Sequence, residues 1–562
     1  MLIFYESLIL HNVILYLTLA KGKNMVKGNE CWGFDIISGM CTVHIAGREL
    51  TAFCGIPSSP YLMLMETEKR NGEKTAIVDN WNRPYSFSEL LLKVNQFSGY
   101  LQSKGVDKGS HVGLLLYNCV EFAVAFLAIS RLGAVTVPLP GKYRRPEVIS
   151  LMEKGNVTVL VCDEHFAPWF EGYSCMTIIL CRNISQVYGF SHLDMPAVPS
   201  AGTCPSVSLS DTSLIMFTSG TTSQSKGVLL KNYNIIHSIE AYRRIFHITD
   251  NDRTLLATPV YHVTGIIALL GLFIYTGGTL WIMNKVDPRR MLQCAIDESL
   301  TFIHASPTVF HLLLEHRDEF RQIPSLKQFA CGSSNMPVRS IEKIKEWLPQ
   351  VDFHTIYGMT EVSSPATIFP AGAAGSPYRE SSGVPIPGLD IKIVDSWGND
   401  VENGCLGEIT MYGTNVLETY YNIKSPDLSD DGWIRSGDIG YVNDEGYLWV
   451  VDRKKDMINR GGEKISTIDV ENALCAIPGV SEAIVAGIPD EMYGEIPAAA
   501  VKLENGVRLA EEEIRSFLKL QLAGYMIPVR YIFLKNLPRT VNGKPDKQAV
   551  KKLFTNEKEP CL

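Results

Sequence analysis

The stretch that decides the fold is Met216-Phe217-Thr218-Ser219-Gly220-Thr221-Thr222-Ser223-Gln224-Ser225-Lys226-Gly227. It follows a short apolar run, Leu214 to Phe217, and packs six hydroxyl residues, two glycines and one lysine into a turn. Hydroxyls and free backbone N–H groups are what a loop needs to wrap phosphate oxygens, and Lys226 adds a point charge. It is not a Walker loop, because Ser225 stands before the lysine where that motif needs glycine. Alone, such a loop is more often a solvated Ser/Thr turn.

Outward from it, helical patterns alternate with short apolar runs. Ser88 to Ser103 and Glu121 to Leu132 read as helices. His111 to Leu116, Val135 to Pro138, Val157 to Val161, Leu255 to Thr258, Thr279 to Met283 and Phe302 to Ala305 read as strands. Parallel α/β layers produce that alternation. After Leu389 the texture becomes a small β-rich lobe: Ile391 to Val394, Gly407 to Tyr412 and Gly440 to Val451, with turns such as Asn443-Asp444-Glu445-Gly446. From Lys455 an α+β pattern follows, and the charged stretch Arg453 to Asp456 marks the boundary. The expected organisation is residues 1–60 as an N-terminal extension of unknown role, 61–453 as a large multi-lobed domain, and 454–562 as a small α+β cap.

The chain has 562 residues, with 52 basic and 60 acidic side chains, for a net charge of −8. That balance argues against a nucleic-acid binder. The 13 cysteines are scattered and show no C-x-x-C pair, so reduced thiols in the cytoplasm are expected. Leu2 to Ala20 is apolar but interrupted by Glu6, His11 and Asn12, with no basic segment before it. It makes a poor signal peptide and a poor membrane span, and Met25 is the favoured start. No stable membrane insertion is expected. The run Gly265 to Ile274 has the length of a core helix.

Further motifs keep the first company. Tyr357-Gly358-Met359-Thr360-Glu361 joins an aromatic that can cover a base, a glycine for close approach and a carboxylate suited to Mg²⁺ beside phosphates. Trp433-Ile434-Arg435-Ser436-Gly437-Asp438 ends in an acid that can accept from ribose hydroxyls. Asp452-Arg453-Lys454-Lys455-Asp456, Asn459-Arg460-Gly461-Gly462-Glu463-Lys464-Ile465 and Pro538-Arg539-Thr540-Val541-Asn542-Gly543-Lys544-Pro545 follow. Singly, most have a dull reading as hairpin turns or solvated charge runs.

In this order they resemble the acyl-adenylate-forming (AMP-binding) superfamily, of the acyl-CoA synthetase type, over about Leu62 to Leu553. The resemblance implies ATP, Mg²⁺ and coenzyme A as co-substrates or cofactors, with a small carboxylic acid as the partner to be activated; a homodimer stays open. It implies that Thr218, Ser219, Gly220, Thr221, Thr222 and Lys226 hold the β- and γ-phosphates. Ser223 and Ser225 depart from the usual glycine and proline. Gly332-Ser333-Ser334 and Tyr357-Gly358 would flank adenine, Asp438 and Arg453 clamp the ribose, and Thr360 meet the α-phosphate. Glu361, with Thr221, would hold the metal. Lys455 matches the hinge, and Lys544 the lysine bridging substrate carboxylate and α-phosphate. Gly461 and Gly462 match the loop that closes on the thiol-accepting state.

Pro259-Val260-Tyr261-His262-Val263-Thr264-Gly265 lacks the Phe-Asp of amino-acid-loading domains and resembles acyl- and aryl-CoA ligases, placing His262 at the acyl–pantetheine junction. The acid pocket is expected among His237, His304 to Pro307, Cys331 to Asn335 and Gly358-Met359, where no charged side chain stands. A medium- or long-chain fatty acid is the first expectation and an aryl or alicyclic acid the second, with transfer to a carrier protein as the alternative to coenzyme A.

Overall fold

In the computed structural model, residues 24–172, 177–184, 187–189, 205–218, 225–370, 375–504, 506–540 and 543–555 are described. Two large sheets with parallel centres carry the architecture. The first runs in the order 187–189, 177–184, 159–163, 111–115, 135–138, 212–217, 227–231, antiparallel only at its two ends. The second contains 352–357, 328–331, 302–305, 253–256, 279–282 and 75–78 in parallel, with short antiparallel additions at both edges. Val/Ile/Leu-rich strands buried on both faces pair this way when helices cover them.

Two of the covering helices are buried over most of their surface, as a layer between sheets must be, the second with polar residues such as Asn234, His237 and Glu240 inside. Val120–Arg131 is buried from Val120 to Ser130, and Asn232–Ile245 is buried over most of its length. The run Gly265–Gly271 is wholly buried and continues into Leu272–Thr276. Helix Phe87–Ser103 starts with a capping box, Ser86 accepting from the Glu89 N–H and Glu89 from the Ser86 N–H.

The β-rich lobe is a five-stranded antiparallel sheet in the order 26–27, 389–394, 407–413, 434–442, 448–453. Its first strand, Val26–Lys27, comes from the N-terminal segment. That segment also supplies the hairpin Met40–Ile45/Arg48–Phe53. Trp32 donates its indole N–H to the Pro385 carbonyl (2.7 Å), and Thr414 donates its hydroxyl to the Thr51 carbonyl (2.8 Å). Residues 24–60 are thus built into the body of the protein. Cys41 and Cys54 form a disulfide, against the expectation of reduced thiols throughout. Motif spacing misses this pair because the hairpin register, Cys41 opposite Ala52, creates the proximity.

The C-terminal part has its own sheet, with 480–490 and 494–503 as its long hairpin, and its own apolar cluster around Ile458, Val470, Leu474, Val485 and Ile514. Helices Thr467–Cys475, Glu511–Leu518 and Lys547–Thr555 complete it. The architecture is therefore parallel α/β layers, a β-rich lobe and a small α+β cap. Among the described residues no helix is long and apolar enough to cross a membrane.

Candidate active site

A continuous cleft of about 2580 Å³ lies where the two sheets' C-terminal strand ends, the β-rich lobe and the cap meet. At strand ends the chain must turn, so polar backbone and short side chains converge there.

Tyr357 closes strand Asp352–Tyr357, and its hydroxyl donates to Asp438 Oδ2 at 2.7 Å. Arg453 Nε lies 3.1 Å from Asp438 Oδ1, and the two residues face each other in the register of adjacent strands. Burial raises the Asp438 carboxyl, while Arg453 and the Tyr357 hydroxyl pull it back. The same acid raises the Arg453 guanidinium further above its usual value. Gly358 packs closely on the following backbone: a Cβ there would come within 3.1 Å of the Ala366 nitrogen. Gly332, Ser333 and Ser334 form the facing turn, with the Gly332 N–H on the Ala305 carbonyl (3.2 Å) and Ser333 at φ +79°.

Thr360 and Glu361 lie on a single helical turn directly after Met359. Burial raises the Glu361 carboxyl; the Tyr420 hydroxyl, 3.3 Å from Oε1, and the Arg453 and Lys226 charges oppose that rise. Lys226 pairs with Asp427 (2.6 Å), donates to the Ser425 hydroxyl (2.9 Å) and stands over the Tyr420 ring. The Thr218 N–H donates to the Lys226 carbonyl, joining the two ends of the hydroxyl-rich turn. Ser219, Gly220, Thr221 and Thr222 lie outside the described residues. Tyr420, Ser425 and Asp427 were not singled out from the sequence, since nothing in their local pattern marks them.

The cap brings Lys544 into the same cleft. Its side chain is exposed within the cleft, yet the surrounding walls lower its amine, and so does Arg453; Asp438 and Glu361 act the other way. His262 is held neutral, pushed down to about 3 by burial, then by Lys544 and Lys142. Lys455 lines the cleft in the turn between strands Leu448–Arg453 and Ile458–Arg460. Gly461 and Gly462 sit at a hairpin tip with φ +61° and +100°, and neither lines the cleft.

Of the expected acid pocket, His304 to Pro307, Cys331 to Asn335 and Gly358-Met359 line the cleft. His237 does not. It is buried in the core, its Nε2 is 2.7 Å from the Pro387 carbonyl and its ring stacks on Phe53 at 4.9 Å. The hairpin of the N-terminal segment covers that helix face, which the sequence of the helix alone does not reveal.

Among the described residues no three His, Cys, Asp or Glu side chains are grouped to hold a metal ion. A lone buried carboxylate such as Glu361 suits a cation that is shared with phosphate oxygens.

Residues 64–421 match the AMP-binding enzyme family, and residues 469–544 match the AMP-binding enzyme C-terminal domain. The chain belongs to the AMP-binding enzymes, in the acid–thiol ligase class. It is 30% identical over 521 residues to the 3-[(3aS,4S,7aS)-7a-methyl-1,5-dioxo-octahydro-1H-inden-4-yl]propanoyl:CoA ligase of Rhodococcus jostii, covering 88% of this chain and 98% of that one. Identity to the medium-chain fatty-acid–CoA ligase of Escherichia coli is 28% over 513 residues, covering 87% and 89%. The o-succinylbenzoate coenzyme A synthetase of Bacillus subtilis, solved with ATP and magnesium ion, superposes with a TM-score of 0.76 at 28% identity, over 88% of this chain and 99% of that one.

Proposed function

We propose that the protein activates an uncharged-tailed carboxylic acid as its acyl-adenylate and passes the acyl group to coenzyme A. The observation that carries this reading is the shared cleft: Tyr357, Asp438 and Arg453 at one end, Glu361 and Lys226 beside them, and Lys544 reaching in from the cap. Asp438 would accept from the ribose hydroxyls, Tyr357 and the Gly332–Ser334 turn would flank the base, and Lys226 would exchange Asp427 for phosphate. Glu361 is the residue to hold Mg²⁺, which when bound would neutralise phosphate charge.

A carboxylate is a weak nucleophile approaching a polyanion, so fixed positive charge near both lowers the barrier. Lys544 would supply it while the carboxylate oxygen bonds the α-phosphorus and pyrophosphate leaves. The resulting mixed anhydride is open to a thiol, whose sulfur bonds the carbonyl carbon as AMP departs. Lys544 and the Gly461-Gly462 hairpin would serve these two steps in turn, with Lys455 as the pivot.

For the acid, the wall formed by Tyr261–Thr264, His304–Pro307, Cys331–Ser334 and Gly358-Met359 carries no charged group. His262 and His304 are both pushed down to about 3 by burial, so neither offers a cation to a second carboxylate. A medium- or long-chain fatty acid is the first reading, and the Escherichia coli relative is named for such a substrate. An aryl or alicyclic acid is the second. It is favoured by Tyr242, whose hydroxyl lies 3.5 Å behind His304 Nε2 and backs that wall with a rigid ring. A panel of straight-chain, aryl and alicyclic acids, scored for AMP release with ATP, Mg²⁺ and coenzyme A, tests the reading. Release only when a carrier protein replaces coenzyme A would move the acceptor; release with no acid would overturn the function.

A further inference from the structure

Asn118 follows strand His111–Leu115 and precedes the buried helix Val120–Arg131. Its side chain reaches from the first large sheet to the second. Nδ2 donates to the carbonyls of Leu256 (3.2 Å), Thr258 (3.0 Å) and Met283 (3.0 Å), while Oδ1 accepts from the Val260 N–H (2.8 Å). Its own carbonyl accepts from Asn80 Nδ2 (3.0 Å), and Asn80 Oδ1 accepts from the Asn284 N–H (2.8 Å). Both ends of the amide are therefore engaged by backbone, Nδ2 sharing its two hydrogens among three carbonyls and Oδ1 taking one N–H.

What it grips matters. Leu256 and Met283 end or follow two neighbouring parallel strands, and Thr258 and Val260 belong to the segment leading into His262. That segment's other ties are the Thr258 hydroxyl on the His304 carbonyl (3.4 Å), the His262 N–H on the Pro259 carbonyl (3.1 Å) inside the same turn, and the Ile266 N–H on the His262 carbonyl (3.1 Å). Gly265 then passes so close to Pro259 that a Cβ would lie 2.7 Å from its carbonyl oxygen. Removing the Asn118 amide strips the bonds at the Thr258 carbonyl and the Val260 N–H, and with them the turn's tie to the first large sheet.

We infer that Asn118 is a positioning residue for the acid and thiol end of the cleft, setting where Tyr261, His262, Val263 and Thr264 stand. The inference rests on the ligase reading above. The nucleotide end is independent of it, because Asn118 bonds none of Tyr357, Asp438 or Arg453. A purely structural amide would lower stability alone; a positioning amide splits the kinetics.

The test uses the full chain and the best acid from the panel. Asn118→Ala and the isosteric Asn118→Asp, which removes the donors, should lower kcat/KM for the acid by about tenfold to 10²-fold. The KM for ATP and the rise in melting temperature on adding MgATP should stay as in the parent. Val94→Ala and Leu101→Ala, buried on helix Phe87–Ser103 and away from the cleft, supply controls with lowered melting temperature and unchanged constants for both substrates. If Asn118→Ala does not fold, Asn80→Ala, which removes the outer bond, should give the same split at smaller size. Asn118 and Asn80 variants that melt earlier with parent-like acid kinetics, or that lose acid and ATP affinity in parallel, would overturn the inference. A parent protein that releases AMP with no acid defeats the ligase reading instead, before any variant is compared.

Discussion

The carboxylate of Asp452, at the end of strand Leu448–Arg453, accepts from both the backbone N–H and the hydroxyl of Thr467, each at 2.6 Å. Thr467 begins the first helix of the cap, and Lys547 stands 3.7 Å from the same acid. Beside it the Ser466 hydroxyl donates to the Val451 carbonyl at 2.9 Å. This latch holds the cap with Lys544 in the cleft and the Gly461-Gly462 hairpin outside it.

Rotation about Lys455 would have to break that latch. Asp452→Ala should therefore weaken the Lys544-in arrangement by about 1–3 kcal/mol, the cost of stripping a buried charge-assisted bond. Acyl-adenylate formation should slow several-fold and thioester formation from supplied acyl-adenylate should not. Rapid-quench measurement of each half-reaction checks this, and equal slowing of both would count against the latch.

The pH dependence of nucleotide binding should follow Glu361. Burial raises its carboxyl above the usual glutamate range, so the folded protein keeps the proton at a pH where an exposed glutamate has lost it. The carboxylate is the form that would hold the metal in the proposed reaction. Affinity for MgATP should thus fall as pH drops through that raised range and recover at neutral pH. Glu361→Gln should flatten the profile and cost about 10²–10³ in adenylation rate. Calorimetric titrations across the range give the answer; a Gln variant with parent-like rate and profile would remove the role.

The N-terminal segment offers a stability test. A chain starting at Met25 keeps Val26–Lys27 paired with Leu389–Val394 and keeps the hairpin on Thr414. Its melting temperature and activity should match the parent. A chain starting at Tyr61 would strip one sheet edge and uncover Ile391, Phe53's neighbour His237 and the Arg244 side chain, which donates to the Ile36 carbonyl at 2.9 Å. It should melt markedly earlier or fail to fold, as seen by differential scanning calorimetry.

Much of this was legible in the sequence, for a physical reason. Strands such as Phe302–Ala305 and Val135–Pro138 are short apolar runs closed by Pro or Ser, and helix Phe87–Ser103 carries its own cap, so their signals are local. Tyr357, Asp438 and Arg453 sit in dense motifs, so the resemblance could single out all three and pair Asp438 with Arg453, which stand 3.1 Å apart; the Tyr357–Asp438 bond was not expected. Asn118, Tyr420 and Asp427 act through partners more than 50 residues away, and no window around them shows it. His237 was misplaced because its neighbour Phe53 lies on a distant hairpin. The acid's identity stayed open for a related reason: an uncharged wall excludes charges but does not measure length.

In the proposed mechanism one cleft would run two reactions with two faces of the cap. The most direct measurement follows both half-reactions, pyrophosphate release from acid and ATP, and thioester formation from supplied acyl-adenylate and coenzyme A, in Lys544→Ala and Gly462→Leu. A Cβ at Gly462 meets nothing within 4 Å, so the leucine burdens the hairpin tip rather than the core, although φ +100° strains it locally. Lys544→Ala should lose the first reaction by about 10²–10³ and keep the second. Gly462→Leu should keep the first and lose the second. Equal loss of both reactions in both variants would mean a single fixed arrangement, and would contradict the alternation.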